Sequence, residues 1–141
     1  MLDTKLFLDA QNGSYGGYAD ALAEIRAGRK RSHWIWYIFP QMKGLGRSYT
    51  SERYGIASLE DARAYLAEPT LRARLLEITG ALLALDGDIR VIFPSPDDKK
   101  VRSCMTLFRA AEPELTCFQQ VLDKFYGGKA DRLTEKMLEK P

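Results

Sequence analysis

The sequence predicts an all-α fold: one compact multihelical domain spanning residues 1–141, with six or seven helices and at most two short strands. Three observations lead there. Apolar residues recur at spacings of three and four along most of the chain, which is the period of a helix with one buried face. Serine, aspartate and proline signals open these stretches, and glycines close them. The 141 residues, 45% of them hydrophobic, suit one ordinary domain, and a chain of this length hides roughly two-thirds of its unfolded surface.

The elements follow in order. Thr4 to Gln11 places Leu6, Phe7 and Ala10 on one helical face, and Gly13, Gly16 and Gly17 break it. Tyr18 to Ala27 reads as a helix with Leu22 and Ile25 inward. Gly28 stands where a C-terminal cap belongs, and Arg29-Lys30-Arg31 follow as a solvated, basic helix end. Trp34 to Phe39 is a continuous apolar run that fits a buried strand or a short buried helix. Pro40 disfavours helical geometry at Phe39. Gln41 to Ile56 has no clear period and reads as a long loop, a feature often tied to function.

Ser58 is a helix cap with Glu60 and Asp61 in the first turn, and Leu59, Ala62, Tyr65 and Leu66 follow at helical spacing. Pro69 opens a helix whose stripe is Leu71, Leu75, Ile78, Leu82 and Leu85, ended by Gly87. Ile89 to Phe93 reads as a short extended piece. Ser95-Pro96-Asp97-Asp98 reads as a cap, a proline at the first position and acids in the first turn. Val101, Cys104, Met105 and Phe108 form that helix's inner face. Glu114 to Tyr126 is the next helix, with Phe118, Val121 and Leu122 inward, stopped by Gly127-Gly128. Asp131 to Leu138 forms a last short helix.

Composition excludes several classes. A net charge of +2, from 21 basic and 19 acidic residues, argues against nucleic acid as a partner. No apolar run approaches the ~18 residues that span a bilayer, and the N-terminus lacks a signal peptide's apolar stretch. Cys104 and Cys117 have neither the number nor the spacing of a disulfide framework or zinc site. A cytoplasmic protein with reduced thiols, no cofactor and no membrane contact is the expectation, as a monomer or weak homo-oligomer. His33 is the only histidine, so a multi-histidine metal site within one chain is excluded.

His33 lies between a basic cluster and a wall of aromatics. Its ordinary pKa of ~6.5 suits it to act as acid or base; its structural reading is a histidine bonded to a backbone carbonyl. Trp34, Trp36 and Tyr37 serve either as core or as a platform for a flat ring. Lys43-Gly44-Leu45-Gly46-Arg47-Ser48 combines freed amides, cations and a hydroxyl, as an anion nest would, without the spacing of a phosphate-binding loop. Lys100 and Ser103 share a helix face. Asp97, Asp98 and Arg102 surround them as ion-pair partners or as part of a polar pocket wall.

The run Gly28-Arg29-Lys30-Arg31-Ser32-His33-Trp34-Ile35-Trp36-Tyr37-Ile38-Phe39-Pro40-Gln41 resembles the bacterial family of unknown function DUF 1810, also called Rv1873-like. The resemblance continues through Gly44-Leu45-Gly46 with Ser48, and through Tyr65-Leu66 with Pro69, Arg74 and Leu75. It ends strongly at Asp97-Asp98 with Lys100, Arg102-Ser103 and Met105-Thr106-Leu107-Phe108. It implies an all-α fold and no established activity. This chain departs from the family pattern at Glu68, near Arg72, at Pro94 and at Cys104, and keeps Lys100 and Ser103.

Two functional readings result. One is a site for an anionic small molecule, nucleotide- or NAD-derived, between the His33–Gln41 segment and the Lys100–Ser103 face. There His33 and Lys100 are the candidate catalytic residues, and Trp34, Trp36, Gln41, Arg47, Ser48, Asp98 and Ser103 are candidate ligand contacts. The other is a non-catalytic module that binds a protein or regulates one.

Overall fold

A computed structural model describes residues 1–139. Ten α-helices occur among them: α1 Thr4–Gln11, α2 Tyr18–Arg26, α3 Ile35–Ile38, α4 Tyr49–Arg53, α5 Leu59–Ala67, α6 Pro69–Leu83, α7 Ile89–Ile92, α8 Asp97–Ala111, α9 Cys117–Tyr126 and α10 Arg132–Glu139. No strand occurs among the described residues; one isolated bridge joins Met42 to Ile56. The all-α class therefore holds, and the count of six or seven helices is corrected to ten.

The three added helices are the single turns α3, α4 and α7. Each falls in a segment whose pattern is too short to show a helical period. The aromatic run becomes α3, and its final turn is closed by Phe39 N–H on the Ile35 carbonyl at 3.0 Å. The long loop contains α4, capped by Ser48, whose Oγ accepts the Ser51 amide at 3.1 Å. The piece read as extended becomes α7, started by the Asp88 carboxylate on the Arg90 amide at 2.8 Å.

Other boundaries shift for local reasons. Ser58 caps α5 as expected, accepting from Asp61 N at 3.1 Å. α6 is capped by Glu68, which accepts from Thr70 and Leu71, and it ends at Leu83 rather than near Gly87. Ser95 is not the cap of α8: that helix begins at Asp97, and Pro96 in the cap position has no polar side-chain atom to offer. α9 starts at Cys117, because Glu112 to Leu115 form a turn closed by Leu115 N on Glu112 O at 3.1 Å.

α8 is the axis of the molecule and packs against α3, α5, α7, α9 and α10. Ser103 through Phe108 are buried around its whole circumference, not on one face. Two hydroxyls in that stretch are satisfied by the helix itself: Ser103 Oγ donates to Lys99 O at 3.1 Å, and Thr106 Oγ1 to Arg102 O at 2.8 Å. Phe108 stacks on Tyr65 of α5 and Phe118 of α9, with ring centroids 5.3 and 6.0 Å away. A second aromatic group, Trp34, Phe39 and Phe93, joins the α3 and α7 segments below the start of α8. No helix among the described residues is long and apolar enough to cross a membrane.

Candidate functional site

The segment after α2 is organised by Glu24. Its carboxylate accepts from the amides of Arg31 and Ser32, the Ser32 hydroxyl and the Trp34 indole N–H, at 2.5 to 3.0 Å. Burial opposes ionisation of Glu24, but the bonds from Ser32, Arg31 and Trp34 outweigh it and hold the carboxyl below its ordinary value. Trp34 is thus fully buried with its polar edge spoken for, and its ring belongs to the core.

Lys30 is not part of a solvated basic end. Its side chain is 9% exposed, pairs with Asp97 Oδ2 at 2.9 Å and lies 5.3 Å from the Trp34 ring centroid. Asp97 Oδ1 pairs with Lys100 at 3.2 Å, and Lys100 stands 5.0 Å from the Trp36 ring centroid. One carboxylate is therefore held between two ammonium groups, each over an indole face, a geometry favourable to cations. This ladder joins the two sequence motifs. Arg26, Arg29 and Arg31 are exposed.

Beside the ladder lies a recess of about 290 Å³, lined by Gln41, Leu45, Gly46, Pro96, Lys99, Lys100, Ser103, Asp131 and Leu133. The Met42–Ile56 bridge fixes its outer wall: Ile56 N–H bonds Gln41 O at 2.9 Å, and Lys43 N–H bonds Ile56 O at 2.8 Å. Gly46 keeps the wall thin, since a Cβ there would meet Ser51 Oγ at 2.6 Å. Gln41 is buried as a residue, and its side-chain amide, which forms no hydrogen bond within the described residues, keeps contact with solvent. Lys99 is exposed and, among the described residues, forms no ion pair.

The candidates thus separate. Lys100, Ser103 and Gln41 share the recess, and Trp36 reaches it through Lys100. His33 is exposed and lines a different hollow of about 250 Å³ with Tyr15, Gly16, Arg31 and Ser32. Arg47 is exposed outside the recess wall, and Ser48 is committed to capping α4. Asp98 is buried, its carbonyl accepts Tyr126 OH at 2.6 Å, and its Oδ1 has no partner. Sequence reasoning missed Lys99, Asp131 and Leu133, while Leu45 lies inside the candidate anion nest. The first adjoins a singled-out motif; the last two reach the recess only because α10 packs back on α8. No group of three or more His, Cys, Asp or Glu suited to hold a metal occurs among the described residues.

The family model of DUF1810, a protein of unknown function, matches residues 1–138. The chain belongs to the DUF1810 family. The crystal structure of the conserved hypothetical protein Rv1873 from Mycobacterium tuberculosis superposes with a TM-score of 0.94 at 46% identity, covering 99% of this chain and 98% of that one. No curated protein matches the chain. The helical architecture is thus shared with a solved DUF1810-like neighbour, and neither match carries a stated activity.

Proposed function

We propose that the recess between the Gln41–Gly46 loop and α8 binds a small organic anion bearing a flat ring, a nucleotide or an NAD-derived fragment. The observation that carries this reading is Lys99, a cation without an acidic partner among the described residues, on the rim of a cavity that the Gln41 carboxamide also lines without a protein partner. Leu45, Pro96 and Leu133 offer the ring an apolar floor. Lys100 occupies one face of the Trp36 ring.

Binding is the content of this reading. Lys100 is held by Asp97 and Trp36, so it shapes the wall and lends charge rather than carrying protons. Chemistry at His33 would take place in the separate hollow. The alternative, a non-catalytic module, draws support from the self-contained bonding of Glu24 and Asp97, which accounts for both motifs without a ligand.

A thermal-shift series against nucleotides and NAD metabolites tests the proposal. A ligand that binds only the native state adds about 2.7 kcal/mol of stability at a concentration of 100 Kd. The wild type should melt higher with its ligand. Lys99→Ala should keep its own midpoint and lose the shift. No shift with any nucleotide or NAD metabolite would remove the reading.

A further inference from the structure

The recess brings opposite charges to one wall, and this bears on what it takes. Lys99 and Lys100 line it from the first turn of α8. Asp131, just before α10, lines it further along α8, beside Thr106, and Gln41 lines it as well. Asp131 Oδ2 accepts the Thr134 amide at 3.0 Å and the Thr134 hydroxyl at 2.6 Å. Its Oδ1 makes no hydrogen bond within the described residues. Asp131 is held in place from behind as well, since its own amide donates to Thr106 Oγ1 at 2.8 Å.

An ionised carboxylate only accepts hydrogen bonds, whereas a carboxamide both donates and accepts. A ligand anionic at both ends is therefore repelled by Asp131. A ligand without an anionic end leaves Lys99 unused. The fitting molecule has one anionic group and, a few bonds away, neutral hydroxyls that donate to Asp131 and exchange bonds with Gln41. At about 290 Å³ the cavity lies at the small end of ligand sites, which run from about 300 to 1,000 Å³. That is room for one sugar and one phosphate.

We infer that the recess recognises the ribose phosphate of a mononucleotide, with the phosphate on Lys99 and Lys100 and the sugar hydroxyls on Asp131 and Gln41. This rests on the anion-binding reading above and narrows it. Asp131 is then the residue that separates a sugar phosphate from a bare phosphate.

Titration calorimetry on the full chain tests it with inorganic phosphate, ribose 5-phosphate, 2-deoxyribose 5-phosphate, AMP and NAD. Ribose 5-phosphate should bind about tenfold tighter than phosphate, the worth of one hydrogen bond to a charged group. The deoxy sugar should lose part of that gain in the wild type, with no substitution needed. Asp131→Asn retains an oxygen for Thr134, so folding should persist. It should remove the sugar's advantage and leave phosphate binding unchanged, whereas Lys99→Ala should weaken both. NAD should bind no tighter than AMP. Equal binding of phosphate and ribose 5-phosphate, or an advantage that survives Asp131→Asn, would overturn this inference and leave the anion site standing. Failure of every anion to bind would overturn both.

Discussion

Glu24 shows what a single residue does in this molecule. Four donors converge on its carboxylate, and one of them, the Trp34 indole, is fully buried. Glu24→Ala strands that N–H and frees the Arg31–Ser32 turn. Equilibrium denaturation should show a loss of about 2–3 kcal/mol, the cost of a buried donor left unpaired plus a broken local network. A loss within experimental error would mean that the turn stands without Glu24. Asp97 is the comparable residue on α8. Asp97→Asn should cost about 3 kcal/mol, because the Lys30 ammonium remains nearly buried and without its counter-charge. Neither role is legible from the sequence. Glu24 is an ordinary acid on a helix, and Lys30 looks like one of several solvated cations. Their partners lie seven to ten residues away for Glu24, and on another helix for Lys30.

At the scale of elements, α8 and α9 pack through Phe108 and Phe118, both fully buried. Their inward faces were read correctly from helical spacing. Phe108→Ala and Phe118→Ala should each cost about 3–5 kcal/mol by chemical denaturation, since each leaves a cavity the size of a ring. A loss under ~1 kcal/mol would show that the two faces do not meet, since surface changes cost that little. α10 is the opposite case. Only Thr134 is buried on it, Leu133 is 62% exposed, and its attachment runs through half-buried Met137 and Leu138, the Asp131–Thr106 bond and an Arg109–Glu135 pair. Its amides should exchange far faster than those of α8, and Thr106→Val should speed them further, because few buried contacts oppose local opening. The single-turn helices α4 and α7 were not legible, and α3 only as one of two alternatives, for a physical reason. One turn supplies too few residues to repeat, so its conformation is chosen by caps and neighbours rather than by periodicity.

Across the whole molecule the ionisable groups favour folding over a broad middle range of pH. Glu24, Asp88 and Glu112 lie below their ordinary values of 4.5 and 3.8 when folded. Hydrogen bonds from Ser32, Arg31 and Trp34 act on Glu24 against its burial. Arg90 and Arg72 act on the other two. A depressed carboxyl contributes stability that is present above its unfolded value and is lost as pH falls through the folded one. Melting midpoints should therefore drop below about pH 4.5. Burial raises Tyr18, Tyr65 and Tyr126 well above the ordinary 10.0, aided by Glu77 at Tyr18 and by Asp98 at Tyr126. A raised tyrosine contributes stability that is present below its unfolded value and is lost as pH rises past it. In an alkaline titration these tyrosines should ionise only as the helical circular-dichroism signal collapses. Ionisation of all seven tyrosines with full helicity retained would contradict their burial.

The sequence by itself determined the helical class, the long helices, most of their inward faces and the DUF1810 membership. Those features follow from local periodicity, caps and motif order, which one chain displays along its length. Only the tertiary structure decided that Lys30 and Lys100 share Asp97, that Trp34 is core while Trp36 carries a lysine on one face, and that His33 faces a different hollow from Lys100. It alone brought Lys99, Gln41 and Asp131 around one recess. These are contacts between elements far apart in the chain, set by how helices pack on α8, and the spacing of residues along a sequence holds no record of that.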